Sequence, residues 1–201
     1  MKLVLYFILH YTCVVCRNLP SATVHDEEKF IVFKSCLWQL FEQCNLCTRP
    51  CLVETVVSKG SMVVINQQCP HCQYQRSWSS QPMIGNTPAG NVLLSAAILF
   101  NGASYTKVLR VLEAMKVVCI SPRTFQDHAQ MYLQPTIWHG WTQQQQELIQ
   151  GLVQLSGEVI LGGDGRCDSP GHCAKYLSYT MIELTQNKVI DIQLVQVKNT
   201  L

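Results

Sequence analysis

Residues 44–72 read CNLCTRPCLVETVVSKGSMVVINQQCPHC, and the first half of the chain is read outward from them. Two CxxC pairs flank two β-branched runs separated by SKGS, which predicts a β-hairpin with Gly60 in its turn. Zinc prefers four tetrahedral ligands, and each CxxC turn presents two thiolates about 2.3 Å from such an ion. Cys44, Cys47, Cys69 and Cys72 are therefore predicted to close a structural Zn²⁺ site with no position left open for chemistry. The alternative is four ordinary buried thiols, since cysteine is among the most buried residue types. Cys36 and Cys51 are spare thiols that could compete as ligands, with core filling the preferred role, and His71 reads as a solvated turn residue.

On either side of this stretch the pattern extends the unit. QYQRSW alternates, placing Tyr74, Arg76 and Trp78 on one face of a third strand. Upstream, FIVFKSCLWQLFEQ carries Phe30, Phe33, Leu37, Leu40 and Phe41 at helical spacing, which predicts a helix with one face on a core. Residues 1–29 stand apart, as an N-terminal extension that includes Cys13 and Cys16. Residues 1–22 combine an early lysine, a short apolar run and small residues in the manner of a signal peptide, but the run is too short to span a bilayer. The eleven cysteines, an odd number with paired CxxC spacing, argue instead for thiolate ligation in a reducing compartment. A net charge of +2 makes no electrostatic case for nucleic acid by itself, so that case must come from motifs.

Downstream the period becomes helical. VLLSAAILF stops at Asn101 and Gly102, Ser104 caps YTKVLRVLEAM, and Ser121 with Pro122 starts PRTFQDHAQMYL. Two helices joined by a short turn fit a helix-turn-helix, with Lys107, Arg110, Lys116, Arg123, Thr124 and Gln126 as candidate DNA contacts; a plain three-helix packing unit fits equally. Pro135 is expected to interrupt the second helix. The next helix has Leu148, Ile149, Leu152 and Leu155 as its apolar stripe, Gln143 to Gln146 as its wet side, and Trp138 and Trp141 as packing residues.

The period then becomes two. EVILGGD reads as a buried strand, LSYTMIEL as a second and KVIDIQLVQV as a third, with TQNK as the turn between the last two. Asp164 ends the first strand and Asp168 follows it. Spacing alone prefers a polar turn there, although an extended chain would put both carboxylates on one face. Glu183 and Asp191 read as surface charges. His172 with Cys167 and Cys173 fits no common zinc spacing.

CPHCQYQRSW, GNTPAGNVLLSAAILFNGASYTKVLRVLEAM, RTFQDHA and GGDGRCDSPGHCAKYLSYTMIELTQNKVIDIQLVQV together resemble the zinc-ribbon transposase-derived proteins of animal genomes. These belong to the DDE/D transposases, which have an RNase H-like catalytic domain. The resemblance runs from Phe30 to the end and implies an α+β chain in parts: an extension over 1–29, a zinc ribbon over 30–83, a helix-turn-helix-like segment over 84–155, and the first three-strand antiparallel meander of an RNase H-like domain over 156–201. It implies that Asp164 occupies the first catalytic position, with Asp168 next, and that Mg²⁺ or Mn²⁺ would serve only a complete domain. The remaining acids would lie past Leu201, so the chain is expected to be a fragment that neither cleaves nor joins DNA alone. DNA is the expected partner and the nucleus the expected location, with secretion the alternative should residues 1–22 act as a signal. Self-association through the exposed third strand is also expected, and neither a membrane nor a small-molecule substrate is. A non-enzymatic nuclear module that binds zinc and DNA or protein is the other reading.

Overall fold

The computed structural model describes residues 24, 26–154, 157–169 and 174–196. The extension's Cys13 and Cys16, Leu155, and His172 with Cys173 lie outside the described residues. The chain is a mixed α and β protein with antiparallel sheets, and it divides into two compact units, Met1–Ile137 and Trp138–Leu201.

The first unit opens with a short helix, α1 (Lys34–Gln39), followed by β1 (Leu52–Lys59), β2 (Met62–Gln68) and β3 (Gln75–Ser79) in one antiparallel sheet of order β1-β2-β3. Alternation along β2 turns Ile65 and Gln67 inward, with Ile65 fully buried, and Met62 at the start of the strand is buried as well. Trp78 lies opposite Ile65 and meets the Phe41 ring at 5.4 Å, while the Arg76 guanidinium covers the same ring. The expected face of the first helix is corrected here. Only Phe41 is buried, and Phe30, Phe33 and Leu40 are exposed, because the helix is six residues long and too short to carry the stripe. Cys36 is exposed as well and fills no core.

The hairpin tip is locked to the helices. A small hairpin, β4 (Met83–Ile84) with β5 (Thr87–Pro88), leads into α2 (Ala89–Phe100). From the first turn of α2 the buried Asn91 accepts from the Ser61 N–H at 2.9 Å and hydroxyl at 2.7 Å, and donates to the Lys59 carbonyl at 2.8 Å. Gly60, at φ +59, passes so close that a Cβ there would meet the Asn91 amide at 2.5 Å. Gln81 joins in, accepting from the Gly90 N–H at 2.6 Å and donating to the Ser61 hydroxyl. These bonds join residues on either side of the expected 83/84 boundary.

α3 (Tyr105–Ala114) and α4 (Pro122–His128) pack on α2 around Ile98, Leu109, Ile120 and Phe125. Each such side chain contributes roughly 1.5–3 kcal/mol on burial. Tyr105 stacks on Phe125 at 4.6 Å, and the Ser121 hydroxyl caps α4 through the Thr124 N–H. Pro135, expected as a break, lies inside a continuous helical run. A π-helical turn, Ala129–Leu133, carries α4 directly into α5 (Gln134–Gln154). The Gln134 N–H reaches the Ala129 carbonyl, a one-residue widening that accommodates a helix in which Pro135 has no N–H to give. Trp138, expected to pack, is exposed.

In the second unit β6 (Leu161–Cys167), β7 (Tyr176–Glu183) and β8 (Lys188–Gln196) form an antiparallel sheet of order β6-β7-β8. β6 begins three residues later than the apolar run predicted and is mostly exposed rather than buried. Its glycines leave room for neighbours: a Cβ on Gly163 would strike the Tyr179 hydroxyl, and one on Gly162 would meet Leu184 at 3.1 Å. Glu183, expected at the surface, is 2% exposed and caps the β7–β8 turn by accepting from the Thr185 and Gln186 N–H groups. Gln145 is not merely wet: its amide donates to the Ile190 carbonyl and to Asp191.

Candidate metal centre

Two turns of the same build bring four sulfurs together. The Cys44 N–H donates to the Arg49 carbonyl and the Cys69 N–H to the Tyr74 carbonyl, both at 2.8 Å, so each CxxC closes a loop of equal length. In each, the residue after the second cysteine adopts a left-handed backbone, Thr48 and Gln73 both at φ 58. This is the position where glycine would be free of strain, and the side chains present hide that signal in the sequence. Gln67 ties the first turn to β2 by donating to the Phe41 and Gln43 carbonyls, both at 2.8 Å.

The Cys44, Cys47, Cys69 and Cys72 sulfurs all lie within 4.8 Å of one another, with Cys44 to Cys72 and Cys47 to Cys69 at 3.5 Å. A tetrahedral site with metal–sulfur bonds of about 2.3 Å needs sulfurs ~3.8 Å apart. The cluster therefore fits a structural metal site, and its four donors leave no open place. Cys44 and Cys69 are buried, Cys47 is half-buried and Cys72 is exposed.

The thiols do not share one charge state. The Cys72 N–H, helped by that of His71, draws the Cys69 thiol down to about 6. Desolvation works against Cys44, yet the Cys47 and Leu46 N–H groups still hold it below its ordinary value. A Tyr74 N–H favours the Cys72 thiolate, but desolvation and the neighbouring cysteine sulfurs push that thiol up to about 12. Crowded sulfurs resist full ionisation, and a bound cation would let all four become thiolates.

A fifth thiol lies on the chain just after the first turn, outside the group of four. Cys51 is half-buried, and its Sγ points to the Arg49 carbonyl that also receives the Cys44 N–H. Desolvation, with the Cys69 and Cys44 sulfurs next to it, raises Cys51 to about 11. His71 is exposed and pairs with the Arg49 guanidinium at 3.2 Å, linking the tips of the two turns without entering the cluster.

The other candidate residues are not members of this group. Lys107 and Arg110 are exposed on α3, as is Lys116 just beyond it. Arg123 is exposed on α4 and pairs with Asp127 at 3.0 Å. Thr124 is half-buried, with its N–H and hydroxyl both bonded to the Ser121 hydroxyl, and Gln126 is exposed. Asp164 sits on β6 opposite Thr180 and accepts from its neighbour's Gly165 N–H. Asp168 lies just past the strand, and its N–H still donates to the Tyr176 carbonyl. Its carboxylate accepts from the Lys175 N–H at 3.0 Å and from Ser169 at 3.4 Å. Desolvation opposes ionisation of Asp168, but these bonds together with N–H groups from its turn hold it below the usual carboxylate range. Among the described residues the four cysteines are the one group of three or more ligand-type side chains drawn together, so no further acid joins Asp164 and Asp168. No helix among the described residues is long and apolar enough to cross a membrane.

The class defined by this architecture is a mixed α and β protein with antiparallel sheets and a four-cysteine cluster compatible with a structural metal. No protein-family model, no curated protein and no solved structure matches the chain.

Proposed function

We propose that the cysteine cluster is the structural Zn²⁺ centre of a zinc ribbon, and that the chain is a nuclear DNA-binding protein of transposase-like descent. The observation that carries the reading is the convergence of four thiols, two from each of two equivalent turns, within 4.8 Å. Thiolates are soft donors that favour zinc, and a closed set of four suits folding rather than chemistry. DNA binding draws support from the exposed Lys107, Arg110 and Arg123 on α3 and α4, which pack as two helices joined by a turn. The Arg123–Asp127 pair is an exposed i,i+4 contact, worth little, so a phosphate can replace Asp127.

Transposase-like descent draws support from the order of parts, ribbon, helices, then an antiparallel three-strand sheet with Asp164 on its first strand. In a complete RNase H-like domain Asp164, with Asp168, would help hold Mg²⁺ or Mn²⁺, which activates the attacking oxygen and stabilises the leaving one. Here Asp164 and Asp168 stand without a third acid among the described residues, and this chain is expected not to cut or join DNA. The turn bonds of the Asp168 carboxylate favour, as a second reading, a non-enzymatic module that binds DNA or protein. Exposed Ile192, Leu194 and Val195 on β8 support self-association.

The test uses the full chain. One equivalent of zinc is expected, lost in Cys69→Ser; less than about half an equivalent, with folding unchanged by the substitution, removes the ribbon reading. DNA affinity should fall with salt, and Arg123→Ala should flatten the slope by about one unit. An unchanged slope removes α4 from the interface. Plasmid nicking with Mn²⁺ that disappears in Asp164→Ala would overturn the expectation of inactivity.

A further inference from the structure

The tips of the two cysteine turns carry a pair of donors with no acceptor of their own. Arg49, two residues past Cys47, and His71, one residue before Cys72, are both exposed and meet at 3.2 Å between the guanidinium and His71 Nδ1. A guanidinium only donates, so Nδ1 accepts and the ring proton sits on Nε2. The Nε2–H and the remaining guanidinium N–H groups have no carboxylate or carbonyl partner among the described residues. The other cations of residues 30–83 are engaged: Lys34 lies over the Trp38 ring, Lys59 donates to the Asn86 carbonyl and Arg76 covers Phe41. No acid occurs from Cys44 to Cys51 or from Cys69 to Tyr74, and the exposed Thr48 and Gln73 on these turns are uncharged hydrogen-bonding residues. The turns meet through their sulfurs, Cys44 with Cys72 and Cys47 with Cys69 at 3.5 Å, so whatever holds the cluster also holds the pair.

We propose that Arg49 and His71 form a clamp for the phosphodiester backbone of duplex DNA, a contact on the cysteine turns in addition to α3 and α4. The inference rests on the reading of the chain as a zinc-dependent DNA-binding protein. Phosphate oxygens are acceptors only and come in closely spaced pairs, which suits a planar guanidinium fork beside a second N–H donor. The imidazole donates as the neutral ring, so binding needs no proton uptake. Because the contact is to backbone rather than to bases, it adds affinity and salt dependence and carries no sequence preference.

Fluorescence anisotropy of the zinc-loaded full chain with a labelled DNA duplex, repeated across a salt series, tests this. Arg49→Ala and Arg49→Gln should each flatten the slope of log affinity against log salt by about one unit while zinc content stays at one equivalent. Arg49→Lys should keep the slope and lose affinity about threefold, because an ammonium retains the charge but not the fork. His71→Ala should also lower affinity about threefold. A slope unchanged in both Arg49→Ala and Arg49→Gln overturns the clamp, as does a slope lost only in variants that also lose zinc, which would make Arg49 a support of the metal centre alone. An Arg49-dependent slope with single-stranded RNA but not with duplex DNA overturns the assignment to DNA. A wild-type chain with no salt-dependent DNA affinity overturns the DNA-binding reading itself, and the clamp with it.

Discussion

Replacing Gly60 by alanine probes the joint between the β1–β3 sheet and the helices. The new Cβ would lie 2.5 Å from Asn91 Nδ2, 2.7 Å from Oδ1 and 2.8 Å from Cγ. Asn91 cannot simply swing aside, since it is 2% exposed and its amide makes three hydrogen bonds, to the Ser61 N–H, the Ser61 hydroxyl and the Lys59 carbonyl. A left-handed alanine costs about 1 kcal/mol, and three hydrogen bonds at about 1 kcal/mol each bring the expected loss to about 3–4 kcal/mol. Asn91→Ala alone should cost about 3 kcal/mol. The two losses share one cause, so in the double variant the Cβ meets open space and only the backbone penalty is added. The double variant should therefore be less destabilised than the sum of the singles by about 2–3 kcal/mol. Urea-dependent hydrogen exchange of the Ile65 and Gln67 amides on β2 reads the opening of this unit. Additivity to within about 0.5 kcal/mol would refute the lock.

Thr48→Gly and Gln73→Gly should each raise stability by about 0.5–1 kcal/mol in metal-loaded protein, by relieving the left-handed backbone after each CxxC; urea midpoints measure it, and a loss in both would contradict the strain. His128 is 6% exposed and bonded to the Ser95 hydroxyl at 2.9 Å, and burial, against help from the Asn91 backbone and Asp127, lowers its pKa from 6.5. The unfolded chain therefore binds the extra proton first. Stability should be full above about pH 6.5 and be lost as pH falls toward the depressed folded value, a loss that His128→Gln should reduce in unfolding midpoints between about pH 7.5 and 5. Gly163→Ala should destabilise the β6–β8 sheet by about 1–3 kcal/mol through collision with Tyr179, and Tyr179→Ala should relieve most of that collision, as read by thermal unfolding of the two variants and their combination.

Features governed by near neighbours in the chain were legible in the amino-acid sequence. The CxxC spacing brings each pair of sulfurs into one turn, Gly60 makes the hairpin turn, and Ser121 with Pro122 starts α4, because each is a matter of local hydrogen bonding and backbone freedom. The alternation of Arg76 and Trp78 against Gln75 and Ser77 reads correctly for the same reason. Apolar spacing, by contrast, states which residues share a face but not whether anything covers it. Phe30, Phe33 and Leu40 remain exposed while Phe41 finds Trp78, and β6 starts only at Leu161, the last residue of the apolar run, and continues through glycines of which Gly163 leaves room for the Tyr179 hydroxyl from β7. Pro135 sits in a continuous helix because a π-helical turn just before it changes the hydrogen-bond register. Glu183 is buried because two turn N–H groups stand ready to satisfy its charge, a compensation that no residue type announces. The meeting of the two CxxC turns in one cluster, and the placing of Asn91 against Gly60, depend on residues far apart in the chain. Only tertiary packing decides such encounters, since the energy that holds them comes from groups the local sequence does not contain.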